Sequence, residues 1–330
     1  MQLPDFPRYA AVELGSDSFR LHVGRIEHRE LVLEATQCER IALAASFEED
    51  GSLCEAAMRR ALACLRDFAQ TLDAWRPQAV RVVATAAIGV ANPTARNGAV
   101  FLAAAEAALR RPIEPIAGDE AGRLVYLGVA STLDGTPGTD GEARLVVDIG
   151  AASTELVLGR GSAIERIESF RVGAVRQSLS FFADGAIDAA GFDAAVRSGR
   201  SRFAETALAG HRWERAYGAC GTVRALSEIA REEGLDGGRL NPACLDALRE
   251  RFLRAGHVAR VRLAWPAAAR APHLAGGLAL LIALVEECGV AEVLPVHAGL
   301  RVGALWDLHR RDLYRRAVPA SVPAAGAGLR

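Results

Sequence analysis

The chain has 330 residues, 51% of them hydrophobic and 24% charged, with a formal net charge of −1. This length allows two domains, and the composition excludes a disordered chain. The charge gives no bulk attraction to a DNA or RNA duplex. Every basic side chain is an arginine, which excludes a lysine-containing phosphate loop and Schiff-base chemistry.

The N-terminal residues lack the charged-then-apolar pattern of a signal peptide. The most apolar stretch, residues 274–285, is too short to span a bilayer. We therefore expect a cytoplasmic protein with no membrane partner.

The first elements in chain order are a strand, a turn and a return strand within residues 10–23, followed by a third strand at 31–34. The turn consists of small and polar residues, Gly15, Ser16, Asp17 and Ser18, and follows Glu13. Ser52 and Glu55 match a capping box and predict that a helix begins there. A short buried strand at 80–84 ends at Thr85, which either lines a ligand site or is an ordinary strand-to-helix turn.

A helix at 98–110 and a strand at 113–116 lead to Asp119 and Glu120 at the start of the next helix. These two acids either cap that helix or place a carboxylate at the mouth of a cleft. The turn-rich residues 134–142 are the best candidate domain boundary.

The second half opens with the same pattern. Residues 145–159 form a strand, a turn (Gly150, Ala151, Ala152, Ser153) and a return strand, and Asp148 precedes the turn. At a constant offset, residues 12–25 and 147–160 share Val, Gly, Ser, Leu, Gly and Arg, and Glu13 corresponds to Asp148. The repeat predicts two similar halves whose turns face each other as phosphate clamps, with a metal site between them.

The remaining pattern predicts a strand at 164–172, helices at 173–182 and 188–208, and a strand end before Gly221 and Thr222. That small-residue turn into a helix is a third place where backbone amides can meet phosphate. Further helices are predicted at 242–255, 277–287 and 300–314, with a strand at 290–296. The low-complexity tail, residues 317–330, is expected to be unstructured.

Several of these segments, in this order, resemble the exopolyphosphatase / guanosine pentaphosphate phosphohydrolase (Ppx/GppA) family of the actin, Hsp70 and sugar-kinase superfamily. The resemblance covers residues 9–315, and its segments lie at 12–19, 84–87, 116–129, around Asp148, and at 173–176, 221–226, 275–277 and 300–303. It is far less similar to the sugar and acetate kinases of that superfamily. The chain resembles a short form, without the C-terminal HD-type metal domain of many relatives.

The resemblance implies an α/β fold of two ribonuclease-H-like (actin-like ATPase) domains, each with a mixed five-stranded sheet flanked by helices, and a cleft between them. The first domain would be residues 1–133, completed by the last helix at about 300–316, and the second would be residues 134–299. Relatives commonly form antiparallel dimers, so a homodimer is a further expectation.

The activity implied by the resemblance is hydrolysis of the terminal phosphoanhydride bond of inorganic polyphosphate or of pppGpp. Water is the nucleophile and Mg²⁺ the cofactor, with no organic cofactor. We assign phosphate binding to the residues of the three turns and to Thr85, and metal binding to Glu13 and Asp148. Supporting roles are assigned to Arg20, Arg123 and Arg176.

The chain departs from the family pattern where a catalytic glutamate is expected, because that position is Ala121. The candidates that remain are Glu120, Asp119 and Glu155, although a shift of one residue rotates a helical side chain by about 100°. The usual run of three glycines is Gly150, Ala151 and Ala152, which would be strained if either alanine needed a positive φ.

Two functions follow from these departures. One is a phosphohydrolase weakened by the loss of the expected glutamate. The other is a catalytically degenerate module that binds polyphosphate or guanosine tetra- or pentaphosphate as a sensor.

Overall fold

The computed structural model describes residues 6–85, 96–136, 138–139, 141–208, 210–261 and 271–317. Within these ranges the chain forms two five-stranded sheets, each of which mixes parallel and antiparallel pairs. The predicted fold class, α/β with two ribonuclease-H-like domains, is therefore confirmed. The predicted tail after residue 317 lies outside the described residues.

The first sheet has the order β3-β2-β1-β4-β5. Its strands are β1 (Arg8–Leu14), β2 (Ser18–Glu27), β3 (Glu30–Arg40), β4 (Ala79–Ala84) and β5 (Glu114–Pro115). The helices of this part of the chain are α1 (Glu55–Trp75), α2 (Gly98–Leu109) and α3 (Gly118–Leu133).

The second sheet repeats this order as β8-β7-β6-β9-β10. Its strands are β6 (Ala143–Ile149), β7 (Thr154–Arg160), β8 (Ala163–Phe170), β9 (Arg215–Gly218) and β10 (Val293–Pro295). The helices that follow β8 are α4 (Ala174–Phe181), α5 (Ala189–Phe203), α6 (Gly221–Glu232), α7 (Pro242–Ala255), α8 (Ala271–Cys288) and α9 (Leu300–Ala317). The internal repeat in the sequence thus corresponds to a repeat in topology.

Helix α9 returns to the first sheet and packs against α3. A Cβ atom at Gly303 would lie 1.8 Å from the Leu124 carbonyl oxygen, and one at Gly128 would lie 2.5 Å from that of Gly299. The absence of side chains at these glycines therefore lets the two helix backbones approach closely. This contact fixes the first turn of α9 against the middle of α3.

Two predicted helix starts were wrong. Helix α1 begins at Glu55 with Cys54 as its N-cap, because Asp50 binds both the amide and the hydroxyl of Ser52. Helix α8 begins at residue 271 instead of 277. Gly276 and Gly277 do not interrupt it, since their missing side chains leave room for Ser178 and Thr222.

The most apolar stretch of the sequence lies inside α8, and residues 278–281 are fully buried in the core of the second domain. Among the described residues, no helix combines the length and apolar character needed to cross a membrane.

Candidate active site

A cavity of about 580 Å³ lies in the cleft between the two sheets and is lined by residues from both. This volume is within the range of ligand-binding pockets. The lining includes all of the predicted phosphate- and metal-binding residues: Glu13, Gly15, Ser16, Asp17, Ser18, Thr85, Asp148, Gly150, Ala151, Ala152, Ser153, Gly221 and Thr222. Arg20, which was assigned a supporting role, also lines it. The predicted base Glu155 and the position Ala121 also line it.

The two hairpin turns share one geometry. The Gly15 amide donates to the Ser18 carbonyl at 3.2 Å, and the Gly150 amide donates to the Ser153 carbonyl at 2.9 Å. A Cβ atom at Gly15 would lie 2.9 Å from the Ser18 carbonyl oxygen, and one at Gly150 would lie 3.0 Å from that of Ser153. Glycine is therefore required at the first position of both turns.

The alanines of the second turn are not strained. Neither Ala151 nor Ala152, both within the described residues, has a positive φ. Gly173 lies against them and allows α4 to start there, so that the amides of Ala174 and Val175 donate to the carbonyls of Gly150 and Ala151 at 2.8 and 3.1 Å. The second turn is thus held rigidly by the first turn of α4.

Within the described part of the chain, the first turns of five helices line the cavity. They are represented by Gly118 and Ala121 of α3, Ala174 and Val175 of α4, Gly221 and Thr222 of α6, His273 and Leu274 of α8, and Leu300 and Arg301 of α9. Helix N-termini carry positive partial charge, and their unpaired amides favour anions. In α4 the first amides already donate to the second hairpin turn, so this helix contributes only its partial charge. The cavity is therefore suited to a polyanion.

Carboxylates from both sheets also meet in this cavity. Asp148 lies opposite Glu155 across β6 and β7. Burial raises the pKa of both carboxyl groups. The charge of Glu13 further raises the pKa of Asp148, and the charge of Asp148 further raises the pKa of Glu155. The Ser169 hydroxyl donates to Glu155 Oε1 at 3.1 Å. Glu155 is thus a buried carboxyl with raised proton affinity, so its ionised form is a stronger base than an ordinary carboxylate.

Arginines balance these acids. Arg301 forms an ion pair with Glu13, and its Nε donates to His22 Nε2 at 3.2 Å. Arg20 and Arg224 also line the cavity. Guanidinium groups can bind phosphate oxygens bidentately.

Glu120 and Asp119 are not among the lining residues. The Glu120 carboxylate accepts hydrogen bonds of 2.6 Å from both Arg81 and Arg123. Burial alone would raise the pKa of Glu120, but these two arginines lower it overall. Asp119 is exposed. In α3 the side facing the cavity is that of Gly118 and Ala121, so the assignment of Glu120 and Asp119 as catalytic residues is not supported by their positions.

Two residues with assigned supporting roles, Arg123 and Arg176, also lie outside the cavity lining. Arg123 pairs with Glu120 and with Asp307 of α9, and it does not line the cavity. Arg176 is exposed, and its Nη1 donates to the Arg171 carbonyl at 3.5 Å.

The sequence analysis assigned no functional role to Arg224, Arg301, His273 and Ser169. Arg224 and Arg301 nevertheless lie in segments that carry the family resemblance. One local signal existed. An arginine in the first turn of a helix is unfavourable for the helix dipole, so its presence in α6 and α9 points to an anionic partner.

A divalent metal fits the acids that are present. Mg²⁺ uses one or two carboxylates together with substrate phosphates and water, and Glu13 and Asp148 approach each other from the two sheets. Among the described residues, no group of three or more His, Cys, Asp or Glu side chains could hold a metal ion. A metal here would depend on ligand oxygens from the substrate.

These features define a class: a two-domain ribonuclease-H-like protein with a cavity in the cleft between duplicated hairpins. The sequence model of the Ppx/GppA phosphatase family matches residues 25–311. The chain belongs to this family.

Solved structures agree on the fold. A Ppx/GppA family member from Aquifex aeolicus is 21% identical with a TM-score of 0.73, covering 95% of this chain and 100% of its own. An exopolyphosphatase from Cytophaga hutchinsonii is 20% identical with a TM-score of 0.79, covering 92% and 98%. An exopolyphosphatase-like protein is 24% identical with a TM-score of 0.79, covering 93% and 99%.

Proposed function

We propose that this protein is a phosphohydrolase that removes the terminal phosphoryl group from inorganic polyphosphate or from guanosine pentaphosphate. One observation carries the proposal: two hairpin turns and five helix N-termini, counted over the described residues, surround a cavity that also contains the buried carboxyl of Glu155. Phosphoryl transfer depends mainly on positioning and charge stabilisation, which such a cavity supplies.

The lining residues have different roles in the proposed reaction. The backbone amides of the two turns bind the terminal phosphates, and Arg20, Arg224 and Arg301 neutralise their charge. Glu155 orients a water molecule and accepts its proton as the new bond to phosphorus forms and the bridging phosphoanhydride bond breaks.

Mg²⁺ is part of the proposal. Asp148 would hold it with help from Glu13, whose carboxylate is shared with Arg301. A bound Mg²⁺ ion would neutralise part of the phosphate charge.

We further propose that turnover is slow, because Ala121 lines the cavity where the family pattern has a glutamate. Loss of a general base typically lowers a rate by about 10²–10⁴-fold. Glu155 lies close by, since a Cβ at Gly118 or Gly122 would come within 3.8 Å of its side chain.

A second candidate function is binding without hydrolysis. It is favoured by the same Ala121 and by the two hydrogen bonds that engage Glu120 away from the cavity. The binding cavity would then act as a sensor of polyphosphate or of guanosine tetra- or pentaphosphate.

Phosphate release from polyphosphate and from pppGpp, with Mg²⁺ or with a chelator, separates these candidates. Wild type is expected to release phosphate slowly with Mg²⁺, and Glu155→Gln to release none. Ala121→Glu should raise the rate, whereas the isosteric Ala121→Gln should not. Ligand binding by a wild type that releases no phosphate would favour the sensor, and absence of both binding and release would contradict both functions.

The homodimer implied by the resemblance also belongs to the proposal. Light scattering of the full chain at micromolar concentration is expected to give twice the mass of 35.0 kDa.

A further inference from the structure

His273 connects the two domains at the cavity. It lies in the first turn of α8, it lines the cavity, and 15% of its side chain is exposed. Its Nε2 atom is 2.9 Å from Nη2 of Arg40, the last residue of β3. The Nε of Arg40 in turn donates to Asp17 Oδ1 at 3.1 Å, within the first hairpin turn.

These contacts determine where the imidazole carries its proton. A guanidinium group can only donate hydrogen bonds, so His273 Nε2 must be the acceptor. The neutral ring therefore has its proton on Nδ1. Burial and the charge of Arg40 lower the pKa of His273, and Asp17, 4.0 Å away, opposes this, so the neutral ring is favoured.

Among the described residues, the Nδ1–H group has no hydrogen-bond partner. Nδ1 is buried and is among the side-chain atoms without an acceptor in the described structure. A buried donor without an acceptor is unfavourable, and such a group in a native protein calls for an explanation. A ligand oxygen in the cavity would provide the missing acceptor.

We propose that His273 is a ligand-binding residue whose Nδ1–H donates to a phosphoryl oxygen of a phosphoanhydride chain, while Nε2 stays bound to Arg40. The bound chain then joins α8 of the second domain to the Asp17 turn of the first. This assignment rests on the proposed function of the cavity as a phosphate site.

Two substitutions distinguish the hydrogen-bonding roles of the two ring nitrogens. Asn places its amide at the same distance from the backbone as Nδ1, and Gln places its amide at the distance of Nε2. His273→Asn therefore keeps a donor toward the ligand, whereas His273→Gln keeps an acceptor for Arg40 and loses that donor. Each is tested in the full chain.

Calorimetry with a methylene-bridged triphosphate, which resists hydrolysis, measures the effect in the presence of Mg²⁺. We expect His273→Gln to bind about tenfold to hundredfold more weakly than wild type, the loss typical of one hydrogen bond to a charged group. His273→Asn should remain within about threefold of wild type. Equal affinity of His273→Gln and wild type would overturn the assignment and leave the proposed function intact.

Nitrogen-15 NMR of the imidazole tests the tautomer without any ligand. The free protein is expected to show a protonated Nδ1 and an unprotonated Nε2, and addition of the triphosphate should shift the Nδ1 signal more than that of Nε2. A protonated Nε2 in the free protein would overturn the assignment independently of the proposed function. A wild type that binds no phosphate probe would overturn both.

Discussion

Asp148 and Glu155 lie directly opposite each other on the antiparallel strands β6 and β7. At the equivalent register of the first hairpin, Glu13 lies opposite Arg20. At this register the duplicated hairpins differ, because the first has an acid opposite an arginine and the second has two acids opposite each other. Like charges directly opposite each other destabilise a sheet, and burial strengthens their repulsion. The second hairpin is therefore less stable than the first at the position of the proposed base.

Glu155→Gln should separate stability from activity. Burial and Asp148 raise the pKa of Glu155, so folding at neutral pH requires the uptake of a proton. Gln removes this requirement and keeps a group that can bind Ser169, so we expect the free energy of unfolding to rise by about 1 kcal/mol. Phosphate release should fall by about 10²–10⁴-fold. Denaturant unfolding and a phosphate-release assay measure the two effects, and an unchanged rate would show that another group accepts the proton.

The same substitution at Glu120 is a matched control with the opposite expectation. Glu120→Gln removes one charged partner from Arg81 and from Arg123, both of which keep Asp307, so the free energy of unfolding should fall by about 1 kcal/mol. Its rate of phosphate release should stay within about threefold of wild type, because Glu120 does not line the cavity. A large loss of rate without loss of stability would return Glu120 to the catalytic candidates.

The pair formed by Arg301 and Glu13 should show strong coupling. Their side chains are 14% and 16% exposed. Arg301→Met leaves a mostly buried carboxylate unpaired, with an expected cost of about 3–5 kcal/mol. Adding Glu13→Gln should restore part of this stability, giving a coupling free energy of more than about 1 kcal/mol in a double-mutant cycle. Additive effects would contradict the pairing.

His22 should contribute to acid sensitivity. Burial, followed by the charges of Arg301, Arg20 and Arg224, lowers its pKa from 6.5 to about 3. Between these values the unfolded chain binds a proton that the folded chain does not, so the free energy of unfolding falls as the pH falls. The contribution is up to about 1.4 kcal/mol per pH unit.

His22→Gln retains an acceptor for Arg301 and removes this titration. Denaturant unfolding between pH 6 and pH 4 should give a shallower pH dependence for the variant than for wild type. Parallel curves for the two proteins would show that His22 is protonated in the folded state.

The contact between α3 and α9 should tolerate no side chain at Gly303. Gly303→Ala would place its Cβ 1.8 Å from a backbone oxygen, so the helices must separate, at an expected cost above about 3 kcal/mol. Gly191→Ala in α5 is the control, since its nearest neighbour would be 3.4 Å away and alanine favours a helix by about 1 kcal/mol. Thermal unfolding of both variants tests the contrast.

The sequence predicted the fold because its signals are local. The alternating strands around Gly15 and Gly150 and their constant offset are properties of neighbouring residues, and they predicted both hairpins and the duplication. The start of α8 was missed because Gly276 and Gly277 are breakers by local propensity. Their role in packing against Ser178 and Thr222 depends on residues about 100 and 55 positions away in the chain.

The sequence by itself determined which groups could bind phosphate: the small-residue turns, the acids that precede them and the exclusive use of arginine. Only the tertiary structure decided which acid faces the cavity. Helical rotation, Arg81 from a distant strand and Arg123 from the same helix direct Glu120 away, while strand pairing brings Glu155 against Asp148. Distances between residues far apart in sequence set charge, burial and proton affinity, and these distances exist only in the folded chain.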